Sequence, residues 1–130
     1  MSMSACWTDA EVIHVYSRAQ ALADGVLVDV SPLAREAGFK VPVAMTAAAW
    51  ADCVAWPAGV AGQDETGRLW DVLYLAGWKG RGHPERNVVV FGVLRVAPGE
   101  TAPTYVALKL HIGPGDQGEP VATILLLGED

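Results

Sequence analysis

The residues of this chain best suited to ligate a metal or attack a substrate are few and widely spaced. His14, His83 and His111 include no close pair of the kind that binds zinc from one helix turn, and no CxxC accompanies them. The spacing therefore predicts no metal site. Ser2, Ser4, Ser17 and Ser31 lie at the terminus or where a helix would open, and no Gly-x-Ser-x-Gly elbow surrounds any of them. Cys53 sits in the apolar stretch Ala51-Asp-Cys-Val-Ala-Trp56, the setting of a buried structural thiol, and Cys6 falls near the start of the chain. The segment Gly113-Pro-Gly-Asp-Gln-Gly-Glu-Pro120 is glycine-rich but lacks the Lys-Ser/Thr of a phosphate loop, and it lies between two strand patterns. Asp116 and Glu119 within it fall short of a twelve-residue calcium loop. His83, in Gly80-Arg-Gly-His-Pro-Glu-Arg86, reads as a solvated loop residue. No catalytic set and no cofactor follow from these residues.

What stands out is aromatic. Trp7, Trp50, Trp56, Trp70 and Trp78 are more indoles than a chain of 130 residues hides completely. Trp56 and Trp78, each beside a loop, are the ones expected at the surface, where Trp and Arg dominate contact energies. Arg68 and Asp71 flank Trp70 three apart, the spacing of a surface ion pair along one helix edge. The expected partner-binding residues are Arg68, Trp70, Trp78, Tyr105, Lys109 and His111. An alternative groups Lys109, His111 and Asp116 as the lining of a small-ligand or minor enzymatic cleft.

These residues need elements to hold them. Residues 1–11 read as a loose leader, and Val12 to Tyr16 as a short strand or extended entry. Ser17 opens a short helix that Gly25 ends, and Val26 to Val30 is strand-like. Ser31-Pro32 opens a second helix, Leu33 to Ala37. Val41 to Met45 is extended, with Pro42 arguing against a central strand. Thr46 caps a helix from Ala47 to Trp56. The clearest helix is Asp64 to Gly77, where Leu69, Val72, Leu73 and Ala76 follow three-four spacing and Trp70 and Tyr74 form a neighbouring ridge. Beyond a polar turn, Asn87 to Val96, Thr104 to Ile112 and Val121 to Leu127 are strand patterns whose short loops predict an antiparallel meander. Alternation sends Val106, Leu108 and Leu110 to a buried side and Tyr105, Lys109 and His111 to an open one. On the preceding strand, Val90, Leu94 and Val96 are assigned to the buried side and Arg95 to the other. The fold class is α+β: N-terminal short helices and strands packed on a C-terminal antiparallel sheet of three or more strands, with residues 12–130 as one domain.

Composition sets the remaining bounds. Hydrophobic residues make up 52% of the chain and charged residues only 18%, which predicts apolar surface left for a partner or for self-association as a homodimer. With 15 acidic and 9 basic residues the net charge is -6, the wrong sign for a phosphate backbone. Only a stripe built from Arg81, Arg86, Arg95 and Lys109 would favour nucleic acid. No run reaches the roughly 20 apolar residues of a membrane span, and Met1 to Trp7 lacks the features of a secretory signal. The expected location is cytoplasmic.

Four blocks carry a family resemblance. They are Val12-Ile-His-Val-Tyr-Ser-Arg-Ala-Gln-Ala-Leu-Ala-Asp-Gly-Val-Leu-Val-Asp-Val30, Leu33-Ala-Arg-Glu-Ala-Gly-Phe39, Arg68-Leu-Trp-Asp-Val-Leu73 and Gly113-Pro-Gly-Asp-Gln-Gly-Glu-Pro-Val-Ala-Thr-Ile124. Together they make residues 12–130 resemble a family of small uncharacterised bacterial proteins often found on plasmids and integrated mobile elements. The resemblance implies a setting and no mechanism. It joins the residue reading in an expectation: a non-enzymatic protein-interaction module acting on a host-defence or plasmid-maintenance component.

Overall fold

A computed structural model describes residues 16–129. The expected leader over residues 1–11, the entry segment over residues 12–15 with His14, and Cys6 and Trp7 lie outside the described residues. The elements run α1 Arg18–Ala23, β1 Leu27–Asp29, α2 Ser31–Glu36, β2 Val43–Thr46, α3 Ala47–Cys53, α4 Glu65–Gly82, β3 Val88–Arg95, β4 Thr104–Pro114 and β5 Pro120–Leu126. The strands form a five-stranded sheet in the order β1-β2-β5-β4-β3. As their short loops predict, β3, β4 and β5 are an antiparallel meander. The sheet as a whole is mixed, because β2 pairs parallel to β5 while β1 pairs antiparallel to β2. The class is α+β, with the strict antiparallel expectation corrected at that one pairing.

Local chemistry explains most boundaries. Ser17 Oγ accepts from the Gln20 amide at 3.0 Å, Thr46 Oγ1 from Ala49 at 3.2 Å and Asp64 Oδ1 from Gly67 at 2.6 Å, so three helices start on side-chain caps. Ser31 does not cap α2. Its hydroxyl donates to Asp29 Oδ1 at 2.6 Å and accepts from the Val43 amide at 3.0 Å, tying β1 to β2. Contrary to the expectation from Pro42, β2 is an interior strand. The proline precedes its first residue, so no ladder donor is lost, and the Pro42 carbonyl accepts from Ala122 N at 2.9 Å. α4 runs five residues past Gly77, since packing overrides the low helix propensity of its glycines. A Cβ on Gly77 or Gly80 would sit 3.1 Å from Arg81 or Leu110, respectively. α3 stops at Cys53, three residues short of Trp56, where the amides of Val54 and Ala55 both donate to the Trp50 carbonyl.

The core lies between one sheet face and α2, α3 and α4. Met45, Leu108 and Ile124 meet Val72 and Leu73 there, all fully buried. β3 has the opposite parity to the one its sequence suggests. Val89, Phe91 and Val93 are buried, whereas Val90 and Leu94 are exposed, the latter at 69%. Arg95 points to the helix side, where its Nε donates to Asp52 Oδ1 at 2.9 Å. α1 does not join the other helices. Arg18 donates to Thr123 Oγ1 at 2.8 Å, and Thr123 alternates with buried Ile124, so α1 covers the reverse face over β1 and β5. The rest of that face, over β3 and β4, has no helix on it among the described residues. No helix there is long and apolar enough to cross a membrane.

Candidate functional site

Arg68 is an internal clasp. It is 5% exposed, which corrects the expected surface pair with Asp71. Its Nε donates to the Val54 carbonyl at 3.0 Å, and its Nη1 donates to Gln63 Oε1 at 2.6 Å and the Val96 carbonyl at 2.8 Å. The guanidinium stacks over Trp56, 5.0 Å from the ring centroid. Burial pulls its pKa below the usual guanidinium value. Trp56 is half-buried, and its Nε1 donates to the Val60 carbonyl, so it closes the loop after α3, whereas Trp78 is exposed.

With Arg68 turned inward, Asp71 has no cation within ion-pair distance among the described residues. It lines an open groove of about 630 Å³ between α4 and β3, which is an edge strand among the described residues. Trp70, Tyr74 and Leu75 form the helix wall, Gly92, Val93 and Leu94 the strand wall, and Tyr105 of β4 wraps round from the uncovered face. A Cβ on Gly92 would overlap the Tyr105 ring, so the glycine is what lets the phenol lie across the edge strand. Trp78, 63% exposed, continues the Trp70–Tyr74 ridge one turn on.

The backbone of β3 faces this groove. Ile112 N donates to the Asn87 carbonyl at 2.7 Å, which makes that couple a hydrogen-bonded pair. Such pairs alternate along an antiparallel ladder, so Val89, Phe91 and Val93 bond to β4. Val88, Val90, Gly92 and Leu94 then direct their amides and carbonyls away from the sheet, and none of these groups has a partner among the described residues. Trp70, Tyr105 and the unforeseen Leu94 thus come together at one edge.

The alternative set does not converge. Lys109 Nζ donates to the Glu129 carbonyl. Asp116 accepts from the amides of Arg18 at 2.8 Å and Ala19 at 3.0 Å, which hold its carboxyl below the usual range. Pro114 pairs with Pro120, and Lys109 lies five residues down the strand, roughly 16 Å away at strand rise. His111 is exposed on the uncovered face, its imidazole against Gly113. Arg95 and Lys109 have protein partners, so the four-residue basic stripe does not form. Cys53 is buried, and burial, with Asp52 beside it, pushes its thiol pKa up to about 11, away from a nucleophile's range. Among the described residues no cluster of His, Cys, Asp and Glu is arranged to hold a metal.

The groove has one signal in the sequence. In Val88-Val-Val-Phe-Gly-Val-Leu-Arg95 both parities are apolar, but only one puts the bulky Phe91 inward and Gly92 outward. No curated protein and no solved structure matches the chain. The pattern of one family matches residues 3–130, nearly the whole length, and the chain therefore belongs to the family of unknown function DUF6573.

Proposed function

We propose that this domain is a non-enzymatic protein-interaction module that takes an extended segment of a partner protein along the edge of β3 as a sixth strand. The observation that carries this is an edge strand that no described residue pairs with on its outer side. Natural edge strands are blunted by charge, proline or a bulge. Val88 to Leu94 has no charged residue and no proline, and its register with β4 runs unbroken. Outward amides and carbonyls supply affinity in strand addition, and alternate side-chain positions supply selectivity. The Trp70–Tyr74 wall favours an apolar residue on the incoming strand, and the unpaired Asp71 favours a Lys or Arg beside it. The resemblance to mobile-element proteins supports a host-defence or plasmid-maintenance component as the partner class.

The test places a photo-crosslinker at position 94 in cells, identifies the captured protein, and measures its binding to purified variants. Leu94→Lys and Trp70→Ala should each weaken binding by at least about tenfold. The amides of Val90, Gly92 and Leu94 should gain exchange protection in the complex. A partner that binds both variants as tightly as the parent overturns the reading. So does capture of nothing but the chain itself, which would make the edge a self-association surface.

A further inference from the structure

A second cavity, of about 280 Å³, lies between the last turns of α4, the Gly38–Lys40 loop and the helix-side face of β3 and β4. Its floor is apolar, with Phe39, Leu110 and Ile112 among its lining residues, and its rim carries Lys40, Arg81, His83 and Arg86. No carboxylate lines it. That is unexpected in a chain with 15 acidic against 9 basic residues. The β3 groove and the cavities beside Arg68, the start of α4 and α1 each contain at least one Asp.

Cations near a helix C-terminus offset the helix dipole, and that accounts for Lys79 and in part for Arg81. It does not account for Lys40, which arrives from a separate loop, or for an apolar floor beneath the charges. Arg81 and Lys40 are exposed at this rim, and Arg81 lies close against two glycines. Its Nη1 lies 3.3 Å from where a Cβ of Gly38 would stand and 3.1 Å from that of Gly77, so two glycines make room for the guanidinium. Gly38 holds φ at +104°, a left-handed conformation that favours glycine. Glu85 reaches Arg86 at 3.5 Å and His83 Nδ1 at 3.9 Å, while Arg81 and Lys40 have no ion-pair partner among the described residues.

We infer that this cavity is a binding site for a small organic carboxylate, its apolar body on the Phe39–Leu110 floor and its carboxylate on the Arg81 fork with Lys40 beside it. The planar fork matches a carboxylate through two parallel hydrogen bonds. The volume lies near the lower end of small-molecule sites, about 300–1,000 Å³, and suits a single ring or a short chain.

The test is isothermal titration calorimetry of the full chain with benzoate, phenylacetate and hexanoate, with benzyl alcohol and inorganic phosphate as controls. At least one acid should bind with a Kd of about 1 mM or tighter, about tenfold or more below either control. Arg81→Gln should weaken that acid at least about tenfold with an unchanged circular dichroism spectrum, and Arg35→Gln, outside the cavity, should not. If Arg81→Gln does not fold, the double variant Lys40→Gln/Arg86→Gln serves the same purpose. Acids that bind no better than benzyl alcohol overturn the proposal, as does phosphate binding as tightly as the best acid. Full affinity in the charge-removing variant does the same.

Discussion

At Arg68 a full positive charge is buried against oxygen atoms and no carboxylate. Three acceptors hold it, Val54 just after α3, Gln63 two residues ahead of α4 and Val96 just after β3, and Trp56 covers its face. Nη2 has no partner among the described residues, so part of the desolvation cost stays uncompensated there. The guanidinium nonetheless joins three chain segments and satisfies two main-chain carbonyls. Arg68→Met keeps the apolar stem and leaves those carbonyls without a donor. It should lower unfolding stability by about 2–4 kcal/mol in urea titration. Arg68→Lys should recover less than half of that loss, since one ammonium cannot span three divergent acceptors. A methionine variant as stable as the parent would show that the three bonds contribute nothing net.

Among the elements, β3 is where parity decides which side chains reach the core and which line the groove. Its helix-side residues hold the core, and the alternate positions supply the groove with outward backbone. Val93 is 3% exposed, so Val93→Ala should cost about 2 kcal/mol by loss of buried methyl groups. Leu94→Ala should stay within about 0.5 kcal/mol of the parent. Equal losses at the two positions, measured by thermal or urea unfolding, would contradict the assigned faces. The same strand marks the limit of what the sequence made legible. The meander strands and the capped starts of α1, α3 and α4 follow from turn residues, capping side chains and hydrophobic period, all of which act locally. The face of β3 does not, because both of its parities are apolar and only Phe91 against Gly92 breaks the tie. Nor does the parallel β2–β5 pairing, which joins residues about eighty apart. Within the candidate site, Trp70 and Tyr105 are legible as exposed aromatics, and both line the groove. Arg68 was not placed, because three-residue spacing to Asp71 says nothing about carbonyls at Val54 and Val96.

At the scale of the whole molecule the sheet is covered unequally. α2, α3 and α4 seal one face, and on the other only the six-residue α1 is in place among the described residues. A helix that short is not stable alone. α1 holds its position because Arg18 reaches Thr123 and the Ala122 carbonyl, and because Asp116 accepts two amides at its start. Those amides, Ala19 first, hold the Asp116 carboxyl below the ordinary range. A carboxyl depressed in the folded state contributes stability above its unfolded value and loses it as pH falls through the folded one. Docking of α1 should therefore be complete at neutral pH and weaken only below about pH 4. In a nitrogen-15 titration the Arg18 and Ala19 amide signals should move together, with a midpoint below that of an ordinary aspartate. Asp116→Ala should abolish their shared transition and reduce exchange protection at Ala21 and Asp24 already at pH 7, leaving β4 protected. A midpoint at the ordinary carboxylate value, or unchanged protection of α1 in the variant, would mean that Arg18 alone anchors the helix.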